Sequence, residues 1–359
     1  VVMGGIHASM CSQEALEHVD AVVVGEAESV WPTVVGDFEA GRLAPLYRGR
    51  ARELTDLPRP ARHLFDRRDR FASDQTSRGC PMDCDFCSVT AFNGRRYRRR
   101  PHREVLDELE TIPHDMLFFV DDNILGSSRD SRQQARKLFE GMVERGIRKH
   151  WFCQASLNFA DDEDLLRWAA RAGCRMVFLG LEADEVDALS SVNKRLNLRR
   201  GVASYEEAFR RIHRAGISVL GAFIFGLDGD TPEKLRRRTD YMIRSGIDVM
   251  QTTFLTPLPG TRQFDRYQEQ LRLLYPRFPR DWDHYDMTEV THHPQGMTAD
   301  ELKRATHWAN RRLYSWPVLI RKGVQTFLAT RSPSAAVFAW MSNLNYRRVV
   351  SAIPGAAGS

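Results

Sequence analysis

Cys80, Cys84 and Cys87 lie on one short stretch, Thr76-Ser-Arg-Gly-Cys-Pro-Met-Asp-Cys-Asp-Phe-Cys-Ser88, with the spacing C-x3-C-x2-C. Thiolates are the ligands of iron–sulfur clusters, and a cubane [4Fe–4S] has four irons. Three protein thiolates therefore leave one iron open, and an open coordination position is what separates a catalytic metal site from a closed structural one. Two other chemistries compete for the same residues. Zinc needs a fourth ligand, for which His102 is the nearest candidate, and no second C-x2-C or H-x3-H pair follows. Disulfide pairing would leave one of the three cysteines over, and it belongs to secreted chains. The loop favours the cluster.

Such a loop needs a scaffold. Candidate strands are Asp74–Ser77, Met116–Asp121, Trp151–Ser156, Met176–Leu181, Ile217–Phe225 and Asp248–Leu255. Helical stretches fall between them, near 102–111, 131–145, 162–172, 202–215 and 232–245, the last four ending in Gly146, Gly173, Gly216 and Gly246. Helix, glycine and apolar strand is the junction of βα units. Six such units predict an α/β fold over residues 73–260, a curved partial (βα)6 barrel with crossover helices outside a parallel sheet. Chemistry in such folds sits at the C-terminal ends of the strands, and the cysteines follow the first candidate strand.

Upstream, residues 1–40 read as strand, helix, strand, helix, with Ser12–Val19 helical, Ala21–Gly25 a strand buried on both faces, and Glu26–Phe38 a further helix. Residues 41–72 are rich in Pro and Arg and suit a linker. The chain opens at Val1 inside Val-Val-Met-Gly-Gly, which reads as a strand cut from its neighbours in the middle of a domain. Downstream, residues 261–359 form an extension with helices near 298–315 and 317–329, and Gly355–Ser359 is expected to be disordered.

At 359 residues, 42% hydrophobic and 28% charged, the composition is that of a soluble globular protein. Six cysteines, three in one loop, argue for a reducing compartment. No charged-then-apolar leader is visible, and the longest uncharged run, Ser332 to Tyr346, is too short and polar to span a bilayer. A cytoplasmic location is expected. The net charge of +5 is mild. Arg95, Arg96, Arg98, Arg99 and Arg100, interleaved with Tyr97, read as a solvated or sheet-covering connection. No nucleic-acid module accompanies them, so no nucleic-acid partner is expected.

With Phe86 just before the third cysteine, the loop resembles the C-x3-C-x-aromatic-C hallmark of the radical S-adenosylmethionine (SAM) superfamily, a resemblance that covers residues 73–260. It implies a [4Fe–4S] cluster on Cys80, Cys84 and Cys87, SAM chelated at the open iron, and reductive cleavage of SAM to a 5′-deoxyadenosyl radical that abstracts hydrogen from an unactivated carbon. It also implies cofactor-binding roles for further positions. Asp121 and Asp122 would meet the SAM amino group, and Gln154 and Glu182 end the next two strands. Gly221-Ala-Phe-Ile-Phe-Gly226 resembles a G-x-I-x-G stretch whose missing side chains admit adenine to the backbone. Read as residues alone, the two aspartates cap a loop. Cys11, Cys153 and Cys174 are isolated, and the last two are read as small core residues. His284, His292 and His293 are read as surface histidines. No catalytic acid or base is assigned.

Val2-Met-Gly-Gly-Ile-His-Ala8 and Asp20-Ala-Val-Val-Val-Gly-Glu26 resemble the last part of a Rossmann-like cobalamin-binding domain, whose Gly-Gly turn helps hold the cofactor's nucleotide tail. The cobalt-ligating D-x-H-x-x-G element is absent, and His7 is not read as a cobalt ligand. With Thr256-Pro-Leu-Pro-Gly-Thr261 and the helical extension, the resemblance narrows to cobalamin-type radical SAM proteins of the hopanoid C-methylase kind. It implies cobalamin-dependent C-methylation of a small-molecule or lipid-like substrate. An oxidative cyclase or rearrangement enzyme, or a non-catalytic cluster- and SAM-binding remnant, are the alternatives. A flavodoxin- or ferredoxin-like electron donor is expected, because Fe–S potentials reach about −700 mV while cytosolic glutathione sits near about −220 to −320 mV. Leu313–Leu328 and Ala335–Met341 would suit a peripheral membrane contact, with ordinary helix packing as the plainer reading.

Overall fold

The β-branched run at Ala21–Val24 needs neighbours on both edges and a cover on both faces. In the computed structural model, which describes residues 1–64 and 70–352, it finds both. β1 (Val2–Met3), β2 (Ala21–Val24) and β3 (Leu46–Arg48) make a three-stranded parallel sheet with β2 central. Val23 packs toward one face and Val22 toward the other, with α1 (Ile6–Met10), α2 (Ser12–Leu16) and α3 (Trp31–Glu39) completing the unit. α3 begins five residues later than expected, at a Trp-Pro pair whose proline suits a first helical turn. β3 lies in the stretch read as a linker. Its anchor is Tyr47, buried, whose hydroxyl donates to Asp37 (3.0 Å); one aromatic among prolines and arginines gives little periodicity to read.

From Phe71 onward the chain alternates as expected, and the α/β partial-barrel topology holds. Six parallel strands run in sequence order across one sheet. The first, β4 (Phe71–Asp74), lies earlier than the expected Asp74–Ser77. Ser77–Arg78 instead forms β5, which leads through the cysteine loop and α4 (Ser88–Asn93) to its antiparallel partner β6 (Arg98–Arg99). Then follow α5 (His102–Leu109), β7 (Met116–Phe119), α6 (Arg129–Glu144), β8 (His150–Ala155), α7 (Glu163–Arg171) and β9 (Cys174–Glu182). α8 (Val186–Ser191), α9 (Arg195–Arg200) and α10 (Tyr205–Arg214) precede β10 (Ser218–Phe225), and α11 (Pro232–Arg244) precedes β11 (Val249–Phe254). Ser128, Asp162 and Thr231 cap α6, α7 and α11 by accepting backbone N–H bonds. Gly173 ends the α7 crossover at φ 104°, where a Cβ would fall 1.8 Å from the Lys149 carbonyl oxygen, so only glycine fits.

Period-2 alternation splits the sheet. Trp151, Cys153, Val177, Leu179, Val219 and Phe223 face the crossover helices. On the other face, the N-terminal halves of the strands contribute Phe152, Met176, Leu220 and Val249. These pack against Phe338 and Ala339 of a C-terminal helix. That helix is the last of four: α12 (Arg262–Glu269), α13 (Ala299–Leu313), α14 (Trp316–Thr330) and α15 (Pro333–Ala352). α13 and α14 match expectation; α15 is additional. The terminal Gly355–Ser359 lies outside the described residues.

The arginine run, read as a solvated or sheet-covering connection, divides in two: Arg95 and Arg96 are solvated, and the next three arginines tie parts of the molecule together. Arg98 pairs with Glu26 of the N-terminal unit (Nη1 to Oε2, 3.0 Å). Arg99 donates to the carbonyl of Ile124 (2.6 Å) and to Thr76 Oγ1 (3.2 Å). Arg100 pairs with Asp74 (3.0 Å) and Glu108 (2.7 Å). Three consecutive guanidiniums thus reach three different parts of the molecule, while Arg95 and Arg96 stay exposed.

Candidate cofactor site

The cysteine loop hangs from the β5–β6 hairpin. Gly79 has φ 87°, and a Cβ there would come within 2.3 Å of the Arg96 carbonyl oxygen, so the hairpin closes only on glycine. Cys80 N–H donates to the Gly94 carbonyl (3.4 Å) across the loop's base. All three thiols are half-buried and unbridged. The Cys80 sulfur accepts from the backbone of Met82, and the Cys87 sulfur from Val89 and Thr90. Burial pushes all three thiols up, Cys84 to about 11, with Lys194 opposing the shift. A metal would have to displace those protons.

Among the described residues no three His, Cys, Asp or Glu side chains gather closely enough to share one metal ion. A zinc centre demands that, with ligands about 2.0–2.3 Å from a single ion. A cubane does not, because each corner iron takes its own thiolate. His102, the candidate fourth zinc ligand, faces Gln134 and Lys137 on α6 instead. The donor set fits a cluster.

Lys194 completes the inner wall and was not legible in the sequence. Its ammonium meets Glu182 Oε1 at 2.6 Å, with both side chains largely buried, and sits 5.9 Å from the Phe86 ring centroid. Burial alone would lower its pKa, but Glu182, Cys84 and Cys87 carry it above the ordinary lysine range. Glu182 adopts φ 64°, and its carboxylate lies where a Cβ on Gly180 would be, 2.6 Å away. The preceding residue, Asn193, also has a positive φ, and its Nδ2 donates to the Asp83 carbonyl (2.6 Å) inside the cysteine loop. Asn193-Lys194 is the only sequence signal, and it is a weak one.

The neighbouring aspartates part company. Asp121 is fully buried and consumed by the hairpin: it accepts from Thr76 N (3.1 Å), Thr76 Oγ1 (2.8 Å) and the Ser77 hydroxyl. It clamps the hairpin, with three donors already around its carboxylate. Asp122 is half-buried, accepts from Asn93 Nδ2 (3.1 Å), and is close enough to the Cys80 and Cys87 thiols to raise them. Burial raises both carboxyls.

Gln154 shares the inner face with Phe152, two residues nearer the cysteine end. Gln251 does the same above Val249, and its buried Oε1 has no hydrogen-bond partner; the alternation in Val249–Phe254 held that signal. The two glycines differ from their sequence reading. A Cβ on Gly221 would meet Ile247 at 3.0 Å, and one on Gly226 would meet Leu302 at 2.6 Å. Both are glycine because protein side chains fill that room.

The N-terminal unit forms the opposite rim. Met10 presses on Gly260, whose Cβ position it occupies. His7 stands edge-on to Trp282 (5.0 Å), whose indole N–H donates to Glu14 (2.9 Å). His292 is not a surface residue: it is fully buried with Nε2 donating to the Gly226 carbonyl (3.0 Å), and burial lowers it to about 4. His284 is half-buried and stacks on Tyr275; His293 is exposed. Outside the loop, Arg262 holds Asp83 (3.0 Å) and Asp85 (2.7 Å), and Arg95 and Arg195 also approach Asp83.

Residues 75–242 match the family model described as Radical SAM superfamily. Bacteriochlorophyllide d C-12(1)-methyltransferase of Chlorobaculum tepidum is 28% identical over 335 residues, covering 90% of this chain and 70% of that protein. Hopanoid C-2 methylase of Rhodopseudomonas palustris is 29% identical over 228 residues, 62% of this chain and 43% of that protein. Among solved structures, the radical SAM methyltransferase TsrM from Kitasatospora setae, with cobalamin and [4Fe-4S] cluster bound, aligns with TM-score 0.67 over 98% of this chain and 81% of that one, at 19% identity. At that identity the likeness is one of fold.

Proposed function

Because residues 75–242 form a radical SAM domain, we propose that the chain is a radical SAM enzyme holding a [4Fe–4S] cluster on Cys80, Cys84 and Cys87 and using SAM to functionalise an unactivated carbon, by C-methylation. The observation that carries this reading is the loop of three unbridged thiols set against the buried Lys194–Glu182 pair. When bound, the cluster supplies one-electron reduction of SAM to a 5′-deoxyadenosyl radical.

The chain's own residues bind, orient and exclude water. Backbone N–H groups of Met82, Val89 and Thr90 aim at the cysteine sulfurs, and such bonds tune a cluster's potential. Lys194 offers a cation for the SAM carboxylate, and Asp122 an acceptor for its ammonium. Gln154 and Gln251 present polar groups from the inner face of the sheet, and Phe86 and the apolar residues around it keep water from the loop.

The relatives named above support methylation, and the N-terminal sheet supports cobalamin as a further cofactor. The exposed rim of Arg95, Arg195 and Arg262 suits an acidic flavodoxin- or ferredoxin-like electron donor. Six unbridged cysteines suit the cytoplasm.

The test is anaerobic reconstitution with iron and sulfide, then dithionite, SAM and methylcobalamin, with 5′-deoxyadenosine quantified. Product that disappears in each of Cys80→Ala, Cys84→Ala and Cys87→Ala supports the reading. A bound cluster that never yields 5′-deoxyadenosine makes the chain a binding protein. A product that gains a ring and no methyl group makes it a cyclase.

A further inference from the structure

α14 is built inside out. The face it turns to the barrel carries Leu319, Lys322, Thr326 and Thr330, all buried. Lys322 donates from Nζ to the carbonyls of Ser245 (2.8 Å) and Ile247 (2.7 Å). The face it turns outward carries Trp316, Ile320, Val324, Phe327 and Leu328, between 48% and 66% exposed. Steps of three and four residues put these five on one stripe about 18 Å long. A helix of a globular protein normally does the reverse, and an apolar patch turned outward marks an interaction surface. α15 runs back along α14, with Trp340 against Gly323 and the Arg347 guanidinium 4.7 Å above the Trp316 ring. It adds exposed Val337, Met341 and Val349.

Charge chooses the occupant. From Leu313 to Ser359 the sequence has no Asp or Glu, and it has Arg321, Lys322, Arg331, Arg347 and Arg348. The chain's net charge is +5, so these five cations account for all of it and the preceding residues are neutral in sum. Exposed Trp, Phe and Leu beside acid-free cationic positions match an anionic lipid surface.

We propose that the α14–α15 hairpin lies on an anionic phospholipid bilayer, with the Trp316–Leu328 stripe at the headgroup–acyl boundary and Arg321, Arg331 and Arg348 at the lipid phosphates. No helix among the described residues is long and apolar enough to cross a membrane, so the contact is with the surface. The hairpin sits against the turns leading into β10 and β11, with Thr330 beside Gly216 and Lys322 on Ser245 and Ile247. That is the pole opposite the cysteine loop. The bilayer therefore holds the protein by the end away from the cofactor site and does not feed a lipid straight into it.

The test is co-sedimentation of the chain with vesicles of equal parts phosphatidylglycerol and phosphatidylcholine, and with phosphatidylcholine alone. Binding is expected to the first and not the second, and to fall with added salt. Arg321→Gln and Arg331→Gln should each weaken it about fivefold. Ile320→Ser, Val324→Ser and Phe327→Ser combined should abolish it with the melting temperature kept, since these side chains are exposed; if that variant misfolds, the arginine variants decide alone. A chain that stays in the supernatant with phosphatidylglycerol vesicles at low salt overturns the proposal. So does a dimer, seen by light scattering, that the triple variant splits into monomers, because a second copy then covers the stripe.

Discussion

At the C-terminal ends of the strands, buried charge meets buried charge. Arg238 is fully buried between Asp230 (2.8 Å) and Asp184 (2.8 Å) and ties the ends of β9 and β10 together, while Lys194 and Glu182 face each other beside the cysteines. At the N-terminal ends the same sheet is closed by Phe338 and Ala339 lying on Phe152, Met176, Leu220 and Val249. Apolar packing of that kind tolerates any filling of the right volume. A network of buried ions tolerates little, since one lost partner strands the others without solvent. The difference separates what stabilises the sheet from what positions chemistry.

The contrast can be broken, and the most severe test is Arg238→Ala. It leaves Asp230 and Asp184 facing an empty buried site and should cost about 3–5 kcal/mol in urea unfolding; a loss under about 1 kcal/mol would mean that the charged end is not held by its ions. Phe338→Ala should cost about 3 kcal/mol by leaving a cavity, yet leave the iron content of the reconstituted protein unchanged. Iron retention that fell with stability would show that the two ends are coupled. The gentlest test is acid. Burial lowers the His292 pKa to about 4, below the unfolded value of about 6.5, so its contribution is present above about pH 6.5 and is lost as pH falls toward about 4. The melting temperature should drop more steeply over that window in the native chain than in His292→Gln. Coincident profiles would clear His292 of any part in acid lability.

The apolar end was the easier to read. Helices closed by glycine just ahead of apolar strand runs gave the order of the sheet, because burial on both faces leaves a compositional trace. The cysteines were legible because their spacing is local. Lys194 and Arg238 were not: each is one cation among 52 lysines and arginines, and their partners lie 12 and 8 residues away or farther. Asp121 and Asp122 show the limit best. They are adjacent and chemically identical, yet one is consumed by Thr76 and Ser77 while the other faces the thiols. Side-chain direction at the end of a strand follows from the backbone, which residue type does not encode. α14 is the intermediate case: its apolar residues were visible, but not which of its faces would turn to the barrel.

The run Arg98-Arg99-Arg100 carries a consequence for how this chain can change over time. Its three guanidiniums reach the N-terminal unit, the loop after β7, and the edge of the sheet with α5. Side chains along a strand alternate, so a slip of one residue exchanges every face at once. A gained residue between Gly94 and Tyr97 would move each arginine one place along and set Tyr97 against Glu26, and a lost one would set Pro101 against Asp74 and Glu108. Replacing one arginine disturbs one joint; changing the length of that turn forces all three to re-form and leaves one end of the run without a guanidinium. Among descendants of this sequence, the number of residues from Cys87 to Arg98 should drift far less than their identities.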